Sequence, residues 1–166
     1  MTNTITAGLS RRRLLLLGGG GAVLAALGAA SAIYFKSPAQ AGAQLLVYKS
    51  PTCGCCGNWV EHLEQAGYQV QAFNTDDLQS IRKRLNAPDD LASCHIAEID
   101  GYVVEGHVPA TSINKLLTER PKALGLFVPG MPRGSPGMEG PYGTDSYDVI
   151  LVASDGSRSV FDHFDP

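Results

Sequence analysis

From residue 42 onward the chain alternates short runs of period-two hydrophobicity with stretches whose apolar residues recur every three or four positions. That alternation is the mark of strands interleaved with helices. Leu45-Leu46-Val47-Tyr48 predicts a strand, and Asn58 to Gln65 predicts a helix with Trp59, Val60 and Leu63 on its apolar face and Gly67 as its stop. Tyr68 to Phe73 alternates like a second strand. Asn74-Thr75-Asp76-Asp77 offers a helix cap with acidic residues in the first turn, for a helix running to Leu85. Pro88 opens a loop; Cys94 to Ile99 and Val103 to His107 then read as a hairpin about Asp100-Gly101. Thr111 or Ser112 caps a helix through Leu117, which ends before Pro121. A long Pro- and Gly-rich loop spans Val128 to Gly143. Tyr147 to Ala153 and Arg158 to Phe161 form a last hairpin around Ser154-Asp155-Gly156-Ser157, and no internal repeat is present.

The residues before this pattern read differently. Ser10-Arg11-Arg12-Arg13-Leu14-Leu15 precedes an apolar, Gly- and Ala-rich stretch from Leu14 to Phe35. Paired arginines followed by such a core resemble a twin-arginine export signal. Ala39-Gln40-Ala41 has the form of a signal-peptidase site, and Ala30-Ser31-Ala32 is an earlier alternative. Residues 1–41 are therefore expected to be an export signal, and 42–166 the functional domain, located in the periplasm. Left uncleaved, the same apolar run is long enough to anchor the domain in a membrane, facing the periplasm. Gly18 to Gly21 is not a phosphate loop, because no Gly-Lys-Ser/Thr follows it. Roughly 125 residues remain beyond the signal, enough for one domain with a core. The signal holds Arg11, Arg12, Arg13 and Lys36 and no acidic residue, so the domain is more acidic than the net charge of −3 for the whole chain. An acidic domain excludes nucleic acid as the expected partner.

The chemistry is concentrated in cysteine. Three of the four cysteines fall in Thr52-Cys53-Gly54-Cys55-Cys56-Gly57. A lone buried cysteine behaves as a small hydrophobe, but three on one loop make a metal or redox device. Cys53 and Cys56 have the Cys-x-x-Cys spacing of dithiol redox sites at a strand-to-helix turn. All three thiolates plus another group make a soft pocket suited to Cu(I) or Zn(II). A pure disulfide framework is poor geometry, because adjacent Cys55 and Cys56 do not readily pair and a Cys53–Cys55 bridge closes a very small ring.

The order of strand, cysteine turn, helix, strand, helix, hairpin and helix resembles the thioredoxin and glutaredoxin fold. The expected class is thus α/β, a thioredoxin-like single domain with an additional C-terminal β-hairpin and a long Pro/Gly loop. In glutaredoxins the third strand opens with a proline that packs against the Cys-x-x-Cys loop. Here Ser93-Cys94-His95 stands in that place. The resemblance implies that Cys94 faces the cysteine loop as a fourth thiol. His95 follows it as a further candidate ligand, and His107, in Glu105-Gly106-His107-Val108-Pro109, is another. Met131 and Met138 on the long loop carry thioethers, which are soft copper ligands; the alternative is that they fill gaps beneath a lid. Trp59 is expected in the core beside the cysteine loop, and His62 and His163 are expected to face solvent.

Taken in order, Cys53-Gly54-Cys55-Cys56, Ser93-Cys94-His95, Glu105-Gly106-His107-Val108-Pro109-Ala110 and Val128-Pro129-Gly130-Met131-Pro132 through Met138-Glu139 resemble the CopG copper-resistance family. The resemblance covers nearly all of the domain. It implies an exported, thioredoxin-like protein that holds copper through Cys53, Cys55, Cys56 and Cys94, as Cu(I) and as more than one ion in a thiolate cluster. Zinc is the alternative metal. The expected function is copper tolerance: a metal-binding protein exchanging copper ions with other periplasmic copper-handling proteins, with copper redox activity as an extension. The competing reading is a thiol–disulfide oxidoreductase using Cys53 and Cys56.

Overall fold

Seven strands form one sheet in the order β2-β1-β3-β4-β5-β6-β7, in a computed structural model that describes residues 43–166. The expected export signal, residues 1–41, lies outside the described residues. In chain order the elements are β1 (Gln44–Lys49), α1 (Gly54–Gln65), β2 (Gln69–Asn74), α2 (Leu78–Arg84), β3 (His95–Ile99), β4 (Tyr102–Glu105), α3 (Ala110–Glu119), β5 (Ala123–Phe127), β6 (Tyr147–Ala153) and β7 (Arg158–Phe164). β1 runs parallel to β2 and antiparallel to β3. β4 is antiparallel to β3 and parallel to β5, and β5, β6 and β7 complete the sheet in antiparallel pairs. The result is a mixed α/β domain. Among the described residues no helix is long and apolar enough to cross a membrane.

Strand alternation sends side chains to two separate cores. Leu45 and Val47 of β1, Ala97 and Ile99 of β3, Val104 of β4 and Leu126 of β5 join Trp59 and Leu63 of α1 and Ile113, Leu116 and Leu117 of α3. On the other face Ile96, Val103, Phe127 and Val152 pack with Leu78 and Ile81 of α2. Full burial of each such aliphatic side chain is worth about 1.5–3 kcal/mol, so both faces of the sheet need their helices. The hairpin turn falls at Asp100-Gly101 as the sequence predicts. Both residues have positive φ, 51° and 87°, as a two-residue turn between twisted strands requires.

Several elements depart from the sequence pattern. α1 begins at Gly54 rather than Asn58, because the Cys53 sulfur accepts from Cys56 N at 3.3 Å and so caps the helix four residues earlier. The hairpin strands are His95–Ile99 and Tyr102–Glu105, so Cys94 and His107 lie just outside them. β5 was not expected: its sequence Ala-Leu-Gly-Leu-Phe lies inside the sheet between β4 and β6 and shows no alternation. Strand β7 also runs three residues further than expected, to Phe164.

α3 starts at Ala110, after Pro109, and neither Thr111 nor Ser112 caps it. Its first amide is met instead from another helix, Ala110 N donating to His62 Nε2 at 3.1 Å. His62 is therefore half-buried and an acceptor, not the solvent-facing residue the helix pattern suggested. Burial lowers its pKa, opposed by the charge of Glu139. An imidazolium could not accept this bond, and its charge would oppose the helix dipole. A depressed histidine pKa means that the stabilisation is present above the unfolded value of 6.5 and is lost as pH falls through the folded value. Urea unfolding of wild type against His62→Gln should show a stability difference at pH 7.5 that shrinks on acidification below pH 6; a difference constant with pH would refute this role.

Candidate metal centre

The register of the central strands assembles the site. Lys49, the last residue of β1, pairs with His95, the first of antiparallel β3. The loop leaving β1 and the loop entering β3 therefore meet at one end of the sheet. Cys53, Cys55, Cys56 and Cys94 come together there, with one sulfur from each lying within 4.8 Å of the others. Cys94 also groups with His95 and His107 at the same limit. The Cys94 sulfur sits 3.3 Å from His95 Nδ1 and 3.1 Å from His107 Nε2.

Cys53 and Cys56 are joined as a disulfide, with their Cα atoms 5.4 Å apart, while Cys55 and Cys94 are free and partly buried. The Cys55 sulfur lies 3.4 Å from that of Cys53. The Cys56 sulfur lies 3.5 Å from the Cys94 carbonyl. The disulfide and a four-thiol site are two states of the same residues, since metal ligation uses thiolates.

Burial sets the charge of Cys94, His95 and His107. The Cys94 thiol is pushed up to about 12, first by desolvation and then by the nearby Cys55. His95 is fully buried and its pKa falls to about 3, through burial first and the charge of His107 second. His107 is lowered by burial, against the carbonyl of Pro136, which lies 2.8 Å from its Nδ1. Both rings are therefore neutral at ordinary pH, the form that ligates metal. His95 Nε2 is buried with no hydrogen-bond partner among the described residues, an uncommon condition for a core imidazole.

The walls are specific. Trp59 is fully buried, with its ring centroid 4.2 Å from that of His95 and its Nε1 donating to Val108 O at 2.9 Å. This matches its expected place in the core beside the cysteine loop. The Pro/Gly loop covers the start of α1. Gly137, at φ +83°, comes so close that a Cβ there would meet Cys55 O and Trp59 N at 2.7 Å each. The methionines are separated. Met131 is exposed and shares an open cavity of about 360 Å³ with Cys94, Ser93, Ala92 and Gly130. Met138 lines a different hollow with Arg133, Glu139 and Tyr142. His163 is exposed as expected, between Asp148 and Asp165.

Two residues escaped the sequence reading as parts of this region. Arg82 of α2 and Glu105 of β4 form a buried ion pair, with Arg82 Nε and Nη2 reaching Glu105 Oε1 at 3.0 and 2.8 Å. The available signal was position: Arg82 stands four residues after Leu78 and beside Ile81, on the apolar stripe of its helix.

Four sulfurs and two neutral imidazoles under a close-packed loop are a donor set suited to soft metal ions, and they define a protein with a candidate thiolate metal centre. Residues 91–138 match the family model described as "Protein of unknown function, DUF411". Two solved structures, both of copper resistance protein CopG in forms 1 and 2, share 41% identity with the chain, cover 74% of it and 98% of their own length, and superpose with TM-scores of 0.70 and 0.71. Among curated proteins no match is found. The chain belongs to the CopG family.

The site carries two expectations. In a Cys55→Ser background, iodoacetamide should alkylate Cys94 slowly at pH 9, where an ordinary thiol of pKa about 8.5 is largely thiolate, and its rate should keep climbing above pH 10; a plateau near pH 9 would contradict the raised value. Gly137→Ala should lower stability by about 1–3 kcal/mol in urea unfolding, through the backbone clash and the positive φ. Gly140→Ala, where an added Cβ meets nothing within 4 Å, should be silent.

Proposed function

We propose that the protein binds copper as part of copper tolerance, in the periplasm, through Cys53, Cys55, Cys56 and Cys94, with His95 and His107 as further donors. The observation that carries this reading is the convergence of all four sulfurs within 4.8 Å in a chain 41% identical to copper resistance proteins. The donors fit the metal: soft thiolates favour Cu(I), and His95 Nδ1 and His107 Nε2 lie 3.3 and 3.1 Å from the Cys94 sulfur as nitrogen donors beside them. Closely spaced thiolates are suited to bridging more than one ion. Copper bound there would supply one-electron chemistry, which makes interconversion of copper oxidation states the natural extension. Zinc is the competing ion for the same sulfurs. Met131 shares a cavity with Cys94, which favours it over Met138 as a thioether that an arriving ion would meet.

The frame supports a thioredoxin-like reading. Strand order β2-β1-β3-β4, with α1 and α3 against one core and α2 against the other, is the arrangement such a domain requires. On this reading β5 and the β6–β7 hairpin are additions. The twin-arginine-like segment at residues 1–41 supports export, with the domain at 42–166; other periplasmic copper-handling proteins would supply or accept the ion.

A second reading is favoured by one observation, the Cys53–Cys56 disulfide at the start of α1: a thiol–disulfide oxidoreductase exchanging this bond with a partner dithiol. Copper loading itself requires that the disulfide first be reduced, with a dithiol taking up the two oxidising equivalents. Cu(I) titration of the reduced protein should show tight uptake of more than one ion per chain, sharply diminished in Cys94→Ser. Negligible uptake, with Cys53–Cys56 cycling untouched by that substitution, would hand the function to the second reading.

A further inference from the structure

The Arg82–Glu105 pair is buried almost completely, with side-chain exposures of 9% and 1%. Replacing a buried ion pair with apolar residues of similar volume is often neutral or stabilising, because desolvation offsets the attraction. Stability alone therefore gives little reason for two charges here, in a face of the core built otherwise from Ile96, Val103 and Phe127. What the pair does that apolar residues would not is hold one peptide segment at both of its polar groups. Ser93 N donates to Glu105 Oε1 at 2.8 Å, and Arg82 Nη2 donates to Ser93 O. The Ser93 hydroxyl donates to Gly130 O, tying the same residue to the covering loop. The next residue is Cys94, which precedes β3 and lacks the ladder bonds that fix a strand residue. Its sulfur must nevertheless stay about 3 Å from two imidazoles and close to three other sulfurs.

We propose that Arg82 and Glu105 are positioning residues for Cys94: by clamping both backbone groups of Ser93 they hold the fourth sulfur where the donor set closes. The inference deepens the copper-site reading and rests on it for its metal consequence, but its structural part is measurable without metal. A fork of guanidinium nitrogens is needed, since Arg82 serves the carboxylate and the carbonyl together, which a lysine ammonium cannot do in the same geometry.

The test is the double variant Arg82→Met/Glu105→Leu, with Arg82→Lys beside it. The double variant should keep the native circular dichroism, with a midpoint of thermal unfolding somewhat below wild type because Ser93 N and O lose their partners. Its Cys94, in the metal-free protein at pH 8 and in a Cys55→Ser background, should alkylate at least several-fold faster. Its Cu(I) affinity should fall about 10–100-fold, the usual cost of losing a group that orients a ligand. Arg82→Lys should fall between the two in both readouts. A folded double variant with wild-type Cys94 reactivity and wild-type Cu(I) affinity would overturn the proposal. Should the double variant not fold, Arg82→Lys decides: unchanged Cys94 alkylation overturns the clamp, and acceleration supports it. If alkylation accelerates while even the wild type binds no Cu(I), the clamp stands and the copper reading falls.

Discussion

The pairing of Lys49 with His95 is the constraint on which the rest depends. β1 points its C-terminal end, and β3 its N-terminal beginning, at the same end of the sheet. Everything the chemistry uses is hung on those two loops or laid across them. A slip of one residue would move every side chain of β3 to the opposite face. His95 would lose Trp59, and Ala97 and Ile99 would leave the core that Leu45 and Val47 require. The apolar packing of both faces thus fixes the register, and the register fixes the distance between Cys94 and the cysteine turn.

Much of this was legible in the sequence because its signals are local. The cysteine cluster, the Asp100-Gly101 turn and the alternation of short strands with helical stretches need only neighbouring residues to be read. Cys94 as the fourth member required a frame, supplied by the order of elements. The unread parts have physical causes. Gly54, Cys55, Cys56 and Gly57 are weak helix formers, and they are helical here because a cysteine sulfur caps them. β5 lies between two neighbouring strands, so it carries no alternation to separate it from a loop. His62 and Arg82 act across the fold, on an amide 48 residues away and on a carboxylate 23 residues away. The covering loop was visible as Pro- and Gly-rich chain, yet nothing local says that Gly137 would press on the first turn of α1.

The site also shows how one environment sets several chemistries. The same burial that holds His95 and His107 neutral keeps Cys94 protonated. An imidazole is thereby ready to ligate, whereas the thiol must give up its proton as a metal arrives, so that uptake of a cation and release of protons are coupled. The disulfide acts on the same account: while Cys53 and Cys56 are joined, half of the thiols are withdrawn, and the remaining two, Cys55 and Cys94, are those that the structure leaves free.

The covering loop has a consequence for how the molecule is made. All four cysteines and both site histidines are synthesised by residue 107, but the carbonyl of Pro136 and the backbone of Gly137 that seat His107 and roof the cysteine turn come some thirty residues later. A growing chain thus exposes its sulfurs well before it can enclose them. The contact of Gly137 with the first turn of α1, 79 residues from Asn58, is among the longest-range in the domain and carries the entropy of a long loop. Until that loop closes, the thiols are open to any oxidant or metal around the chain.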